Sequence, residues 1–489
     1  MTHLHKLIFI AILSIYLTAG LLYATLTPPW QAPDEPAHYN YIQYLVTQRS
    51  FPELTAGCYD QDYLNRLTTL RFPPELSIQP VCYEFHQPPL YYLLLTPVYG
   101  LNNGALPSLR LVSVLMGAGV VLLAFGIATT IFPNKAVITL GTMAFVAFVP
   151  MHVAILSSVN NDALAELMLA LLLLLITRRI MVTPKAGFKA DLMLGLGLGL
   201  GLITKTTVYI ALPVAAVALW LAETPTRWGN IARRLPVVYG LALLIALPWY
   251  VRNAAMYGPF DILGLGRHDE VVVGQLRTAE ALAQVGGAAL LGDFVTTTFR
   301  SFWGQFGWMA VPMDNRTYLF LALLSAVAAA GLMALWVTAP SPGASIPLTA
   351  LQKRALMLMA LAIGLMLLAY TGYNLTFKQF QGRYLFPGLI PLGLFFSLGL
   401  YEALQPKWTW WLVGGLGLAL VGVAIISNLN GGIDKRAIFG IMGVAVLIAV
   451  QKFLPSHRLS LVVWLLIISF AGLSLLTLLT PFWFIVPYL

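Results

Sequence analysis

Residues 7–26, LIFIAILSIYLTAGLLYATL, carry no charge, and TPPWQAPDEPAHY follows at once over residues 27–39. A helix rises about 1.5 Å per residue, so the first stretch is about 30 Å long, the thickness of the hydrocarbon layer. Lys6 ahead of it resembles the charged start of a signal peptide. The apolar run is longer than a signal core, however, and no small-x-small cleavage site precedes Pro28. It reads as an uncleaved first membrane helix. Further apolar stretches lie at 108–131, 136–156, 163–178, 191–203, 206–222, 235–251, 317–338, 355–374, 385–403, 408–428, 437–451 and 459–480, which predicts thirteen transmembrane helices. They are continuous and lack the period-2 alternation of a β-barrel. Of the 489 residues 59% are apolar and 10% charged, whereas a soluble domain carries about 25% charged residues. The expected fold class is an all-α polytopic membrane protein, one integral domain over residues 1–489.

The formal charge is +9, from 28 basic and 19 acidic residues. In a soluble chain that balance would suggest nucleic acid as a partner; here it follows the threading. With the N-terminus in the cytoplasm, the inner segments hold Lys6, Lys135, Arg178, Arg179, Lys185, Lys189, Arg227, Arg233, Arg234, Lys353, Arg354, Lys407, Lys452 and Arg458. Only Asp191, Glu223 and Glu402 accompany them, which makes the inner face +11 and the outer face −2. That asymmetry obeys the positive-inside rule, and no nucleic-acid partner is expected. Two outer segments, 27–107 and 252–316, are too long to be turns. No internal repeat is evident, which weakens an inverted-repeat transporter reading.

The first outer segment opens with two carboxylates, Asp34 and Glu35, and a histidine, His38, held between prolines. Pro36 favours an extended Glu35 and suits a helix start, predicted over 36–48. The plain alternative is a helix cap with a first-turn acid. Neighbouring carboxylates point different ways, so a glycosidase-like pair is not expected; one general base beside one orienting or metal-binding group fits better. The segment closes with Glu84-Phe85-His86-Gln87-Pro88-Pro89-Leu90-Tyr91-Tyr92, where interfacial anchoring competes with substrate binding by His86 and Tyr91. Asn160-Asn161-Asp162, with Glu166 one turn on, is either a helix cap or a second acidic position. Gly195, Gly197, Gly199 and Gly201 alternate with leucine before Lys205; without the spacing of a phosphate loop they read as close helix packing. Lys205 either meets an anion or snorkels. Arg383, within Gln381-Gly382-Arg383-Tyr384, can hold a phosphate bidentately. Cys58 and Cys82 are the only cysteines and share the first outer segment, so a disulfide is expected. No zinc-ligand spacing occurs.

Taken together, Pro33-Asp34-Glu35-Pro36-Ala37-His38, the His86–Tyr92 stretch, Asn161-Asp162 and Gln381-Gly382-Arg383-Tyr384 resemble the motifs of GT-C membrane glycosyltransferases. The branch is that of the protein O-mannosyltransferases and the aminoarabinose transferase of lipid A; Gln87, after His86, departs from its HPPLYY pattern. The resemblance runs in order along the whole chain. It implies inverting transfer of a sugar from a polyprenyl-phosphate donor to a glycan, lipid or protein acceptor, at the outer face of a prokaryotic inner membrane. Asp34 would be the general base and Glu35 would orient the acceptor or support the site. Arg383, with Lys205, would hold the phosphate; His38, His86, Tyr91, Asp162 and Tyr384 would complete the binding site. Asp-Glu in place of Asp-x-Asp favours metal independence, with Asp34, Glu35 and Asp162 as ligands should Mg or Mn be used. The rival readings are a polytopic transporter or flippase for lipid-linked glycans, which would place ionisable groups at the midplane, and a glycan polymerase or ligase.

Overall fold

The computed structural model describes residues 2–181, 187–223, 228–338, 345–429, 432, 434–450 and 458–489. Lys185, Arg227 and Lys452 lie outside them. The chain is almost wholly helical. The first half contains α1 (His3–Leu26), α2 (Glu35–Gln48), α3 (Gln61–Thr69), α4 (Leu90–Leu101), α5 (Leu106–Ile131), α6 (Ala136–Ala147), α7 (Pro150–Leu156), α8 (Asp162–Met181), α9 (Phe188–Leu202), α10 (Ala211–Ala222) and α11 (Trp228–Tyr257). The second outer segment folds into α12 (Leu265–Val271), α13 (Thr278–Val285), α14 (Gly287–Trp303) and a hairpin of β1 (Gln305–Phe306) and β2 (Val311–Pro312). Then come α15 (Asn315–Thr338), α16 (Ala350–Thr376), α17 (Leu389–Ala403), α18 (Thr409–Leu429), α19 (Lys435–Val450) and α20 (Arg458–Thr480).

All thirteen apolar stretches are helical, but not all stand as spans by length and composition. Among the described residues eight helices meet that demand, or nine if α6 and α7, bent by 61° at Phe148-Val149-Pro150, form one broken span. Proline at the start of α7 cannot donate to the turn behind it, which accounts for the break. The other four fall short for physical reasons. The α9 helix has 15 residues and α19 has 16, about 22–24 Å at the helical rise. The α10 helix has 12 residues, lengthened by the 3-10 turn Thr206–Ile210. The 20-residue α8 carries Asp162, Glu166, Arg178 and Arg179.

Packing bears out the glycine reading of α9. Residues four apart share a helix face, and residues two apart lie on nearly opposite ones. A Cβ on Gly195 would come within 2.7 Å of the Val238 carbonyl oxygen, and one on Gly199 within 2.7 Å of Ile245, both on α11. On the other side Gly197 meets Leu172 of α8 and Gly201 meets Val208. The helix is thus clamped between two neighbours.

The ion pairs sort by end. Asp191 pairs with Arg179 and Arg234, Glu223 with Arg234, and Glu402 with Lys407, all groups assigned to the inner side. Asp34 with Arg383, Glu35 with Arg110, Asp162 with Lys205 and Asp293 with Lys378 join only groups assigned to the outer side. The end of α1, the turn Tyr83–His86, the start of α8 and the turn Gly382–Gly388 therefore meet at one end of the bundle.

Candidate active site

The loop after α1 is set by backbone conformation. Trp30 (φ 67°) and Asp34 (φ 66°) are left-handed, which costs a non-glycine residue energy and is least costly for aspartate or asparagine. Asp34 occupies the N-cap position of α2, yet its side chain makes no capping hydrogen bond. The carboxylate turns away from the helix instead. Its Oδ1 accepts from the Tyr83 hydroxyl at 2.7 Å, and its Oδ2 accepts from Arg383 Nη2 at 2.6 Å. The helix-cap alternative for this side chain is thereby removed. Burial alone would raise the Asp34 carboxyl, but the Arg383 guanidinium, His38 and the Tyr83 hydroxyl outweigh it and hold the group at about 2.

Arg383 is itself held by its neighbours. Its Nε donates to Gln381 Oε1 at 2.7 Å, and its guanidinium lies 5.2 Å from the centre of the half-buried Tyr384 ring. Nη1 is buried without a hydrogen-bond partner among the described residues. The preceding Gly382 donates its N–H to Ser301 Oγ of α14 at 2.7 Å. So close is the approach that a Cβ on Gly382 would lie 2.2 Å from the Thr298 carbonyl oxygen and 2.4 Å from the Phe302 nitrogen.

Glu35 faces away from Arg383 and supports the loop. Its side chain is 0% exposed, against 23% for Asp34. Oε1 accepts from Arg110 Nε (2.8 Å) and the Val159 N–H (3.1 Å), and Oε2 from Arg110 Nη2 (2.6 Å) and the Trp30 N–H (3.1 Å). Arg110 also donates to the carbonyls of Ala24, Thr27 and Pro28. The pair therefore ties the end of α1, the loop and α5 into one knot. Arg110 falls inside the stretch 108–131, and an ionisable residue in a span needs a buried partner; that rule could have exposed it.

Asp162, the first residue of α8, accepts from Lys205 Nζ at 2.7 Å. Its charge acts on Arg383 and His38, as does that of Asp34, so the two ion pairs share one electrostatic neighbourhood. Asn161 Nδ2 donates to Gln87 Oε1 at 3.3 Å. Tyr91 lies deeper. It is fully buried, exchanges a hydrogen bond with Ser113 (3.0 Å) and accepts from the Asn160 N–H (3.0 Å), so it braces the start of α8. His38 is buried and hydrogen-bonded through Nδ1 to the Tyr92 hydroxyl at 2.9 Å. Burial, the largest influence, holds its pKa below the ordinary value. His86 is also buried, its ring 4.7 Å from that of His268 on α12; burial and His268 hold it down at about 3. It joins the two long outer segments as a neutral group. Cys58 and Cys82 form the expected disulfide. Sequence reasoning missed Tyr83 and Arg110; Tyr83 stands one residue before the motif that was read.

The three carboxylates named as ligands should Mg or Mn be used do not converge. Asp34, Glu35 and Asp162 each face a different cation, and among the described residues no group of three or more His, Cys, Asp or Glu side chains converges as a metal site.

Comparison with known proteins extends this picture. Residues 86–251, about a third of the chain, match the family model of dolichyl-phosphate-mannose-protein mannosyltransferases. Among solved structures, that of ArnT from Cupriavidus metallidurans in the apo state matches 97% of this chain and 76% of its own, with a TM-score of 0.52 and 15% identity. The chain thus shares its fold with that structure, and its residues 86–251 are similar to that mannosyltransferase family. No curated protein matches it in sequence. The family match begins at His86, so it spans the Asp162–Lys205 pair but neither Asp34 nor Arg383; those two rest on geometry.

Proposed function

We propose that this GT-C enzyme transfers a sugar from a polyprenyl-phosphate-linked donor to an acceptor hydroxyl or amine, with inversion, at the extracytoplasmic face of a prokaryotic inner membrane. The observation that carries the reading is the contact of Asp34 with Arg383, 349 residues apart in sequence. A carboxylate aimed off its helix and a buried guanidinium are the two groups that such a transfer needs.

The acceptor O–H or N–H proton passes to Asp34 Oδ2 as the acceptor atom bonds to the anomeric carbon. The bond from that carbon to the phosphate oxygen breaks on the opposite side, and its electron pair stays on the phosphate. Arg383, supported by Lys205, stabilises the charge that develops there. Glu35 and Arg110 keep Asp34 at a fixed height above the bundle. The carboxylates each face a protein cation, so no divalent metal has a role in this scheme.

Asp34→Asn should abolish sugar transfer while the protein remains folded in detergent; near-normal turnover would remove Asp34 from the base role. Activity retained after chelation supports the scheme, and loss restored by Mg or Mn overturns its metal independence.

A further inference from the structure

We propose that the Asp34–Arg383 pair is a latch opened by the donor phosphate, so that the donor binds before the acceptor and frees the base. The inference rests on the glycosyltransferase reading above and adds an order of events to it.

In the described state both Asp34 oxygens are engaged, Oδ1 by Tyr83 and Oδ2 by Arg383. The acceptor would have to compete with a charge-assisted hydrogen bond, which is about twice as strong as a neutral one. Arg383 has the opposite condition. A guanidinium carries five N–H donors in a rigid fork. Here Nε is spent on Gln381, Nη2 serves Asp34, and Nη1 is buried and unspent. Desolvated donors of this kind are satisfied by an anion with several acceptor oxygens, and phosphate fits the fork. A phosphate that takes Nη1 and the second N–H of Nη2 sets a second anion against Asp34 Oδ2, and the repulsion between the two drives Asp34 off Nη2. Tyr83 then retains Oδ1 as a pivot while Oδ2 turns free. Freed from the guanidinium but still buried, Asp34 becomes a stronger base than it is in the pair, where it is held at about 2.

The test uses the full chain in nanodiscs and decaprenyl monophosphate as the probe. Removing the competing carboxylate with Asp34→Asn should tighten probe binding about tenfold or more, the scale of one charge-assisted hydrogen bond. Glu84→Gln serves as control, since its charge, like that of Asp34, acts on Tyr83 while its side chain accepts no hydrogen bond from Arg383. It should change affinity less than about threefold, because it frees no donor of the guanidinium. In the wild type, the probe should also shift the infrared carboxylate band that Asp34→Asn deletes, a readout that holds even if a variant folds poorly. Arg383→Gln should abolish binding. Binding unchanged in Arg383→Gln would remove the phosphate site itself. Binding lost there, with Asp34→Asn no tighter than Glu84→Gln and no band shift, would overturn the latch and leave the phosphate site standing.

Discussion

Gly382→Ala is the most exacting probe of how the second half of the chain places Arg383. The new methyl carbon would lie 2.2 Å from the Thr298 carbonyl oxygen, 2.4 Å from the Phe302 nitrogen and 2.7 Å from the Phe302 Cα. All three are backbone atoms of α14, so no side-chain rotation relieves the contact. Ordinary carbon contacts need about 3.5 Å, so the turn must retreat from α14 by about 1 Å. That movement breaks the 2.7 Å bond from the Gly382 N–H to Ser301 and displaces the neighbouring Arg383 from Asp34. Overpacking of this kind costs about 1–3 kcal/mol of stability, and a 1 Å displacement of a positioned group costs about a hundredfold in rate. Transfer would be measured with a lipid-phosphate sugar donor in reconstituted membranes, alongside thermal unfolding in detergent. Gly364→Ala on α16 is the control, because a Cβ there meets nothing within 4 Å. A Gly382→Ala enzyme with wild-type turnover, beside an inactive Arg383→Gln, would refute the reasoning.

Two further perturbations test the supports of the site. Arg110→Met should lower stability by about 3–5 kcal/mol, since it strands a buried carboxylate; adding Glu35→Gln should recover part of that loss, and equal melting of single and double variants would show that the charge is not the cause. Stability should also fall with acid. Below about 6.5 an unfolded histidine binds a proton, whereas folded His86 does so only at about 3, so the unfolded state holds more protons throughout that window. Each pH unit lost there costs up to about 1.4 kcal/mol per histidine. His38 and His268 shift in the same direction, so His86→Gln should flatten the melting curve against pH only in part; an unchanged slope would remove His86 from the effect.

The membrane class, the helical stretches and the disulfide were legible in the sequence, because each depends on local composition or on a pairing with one solution. Asp34 and Arg383 were legible as separate chemical types placed at interfaces. The roles of Asp34 and Glu35 relative to each other were not, because two adjacent carboxylates differ only in what lies above and below them. That difference is made by Arg110, 75 residues on, and by a left-handed backbone at Asp34. The bracing contact of Tyr91 was hidden for the same reason: its hydroxyl meets the Asn160 N–H just before α8, and spacing within its own motif says nothing of that. Charge and shortness are hidden in apolar averages, so α8 and α9 do not meet the length and composition of a span although both lie on predicted stretches.

The clamped glycines of α9 have a consequence for how this chain can vary. A single inserted or deleted residue turns a helix by about 100°, which would carry all four glycines off both contact faces at once and drive leucines into α8 and α11. The length of α9 is therefore as fixed as its composition. Lys205 follows Leu202, the last residue of the helix, by only three positions, so α9 acts as a ruler between the inner ion-pair cluster at Asp191 and the lysine that meets Asp162. Related sequences are free to change side chains along that ruler, but a change in its length would have to be compensated in three helices together.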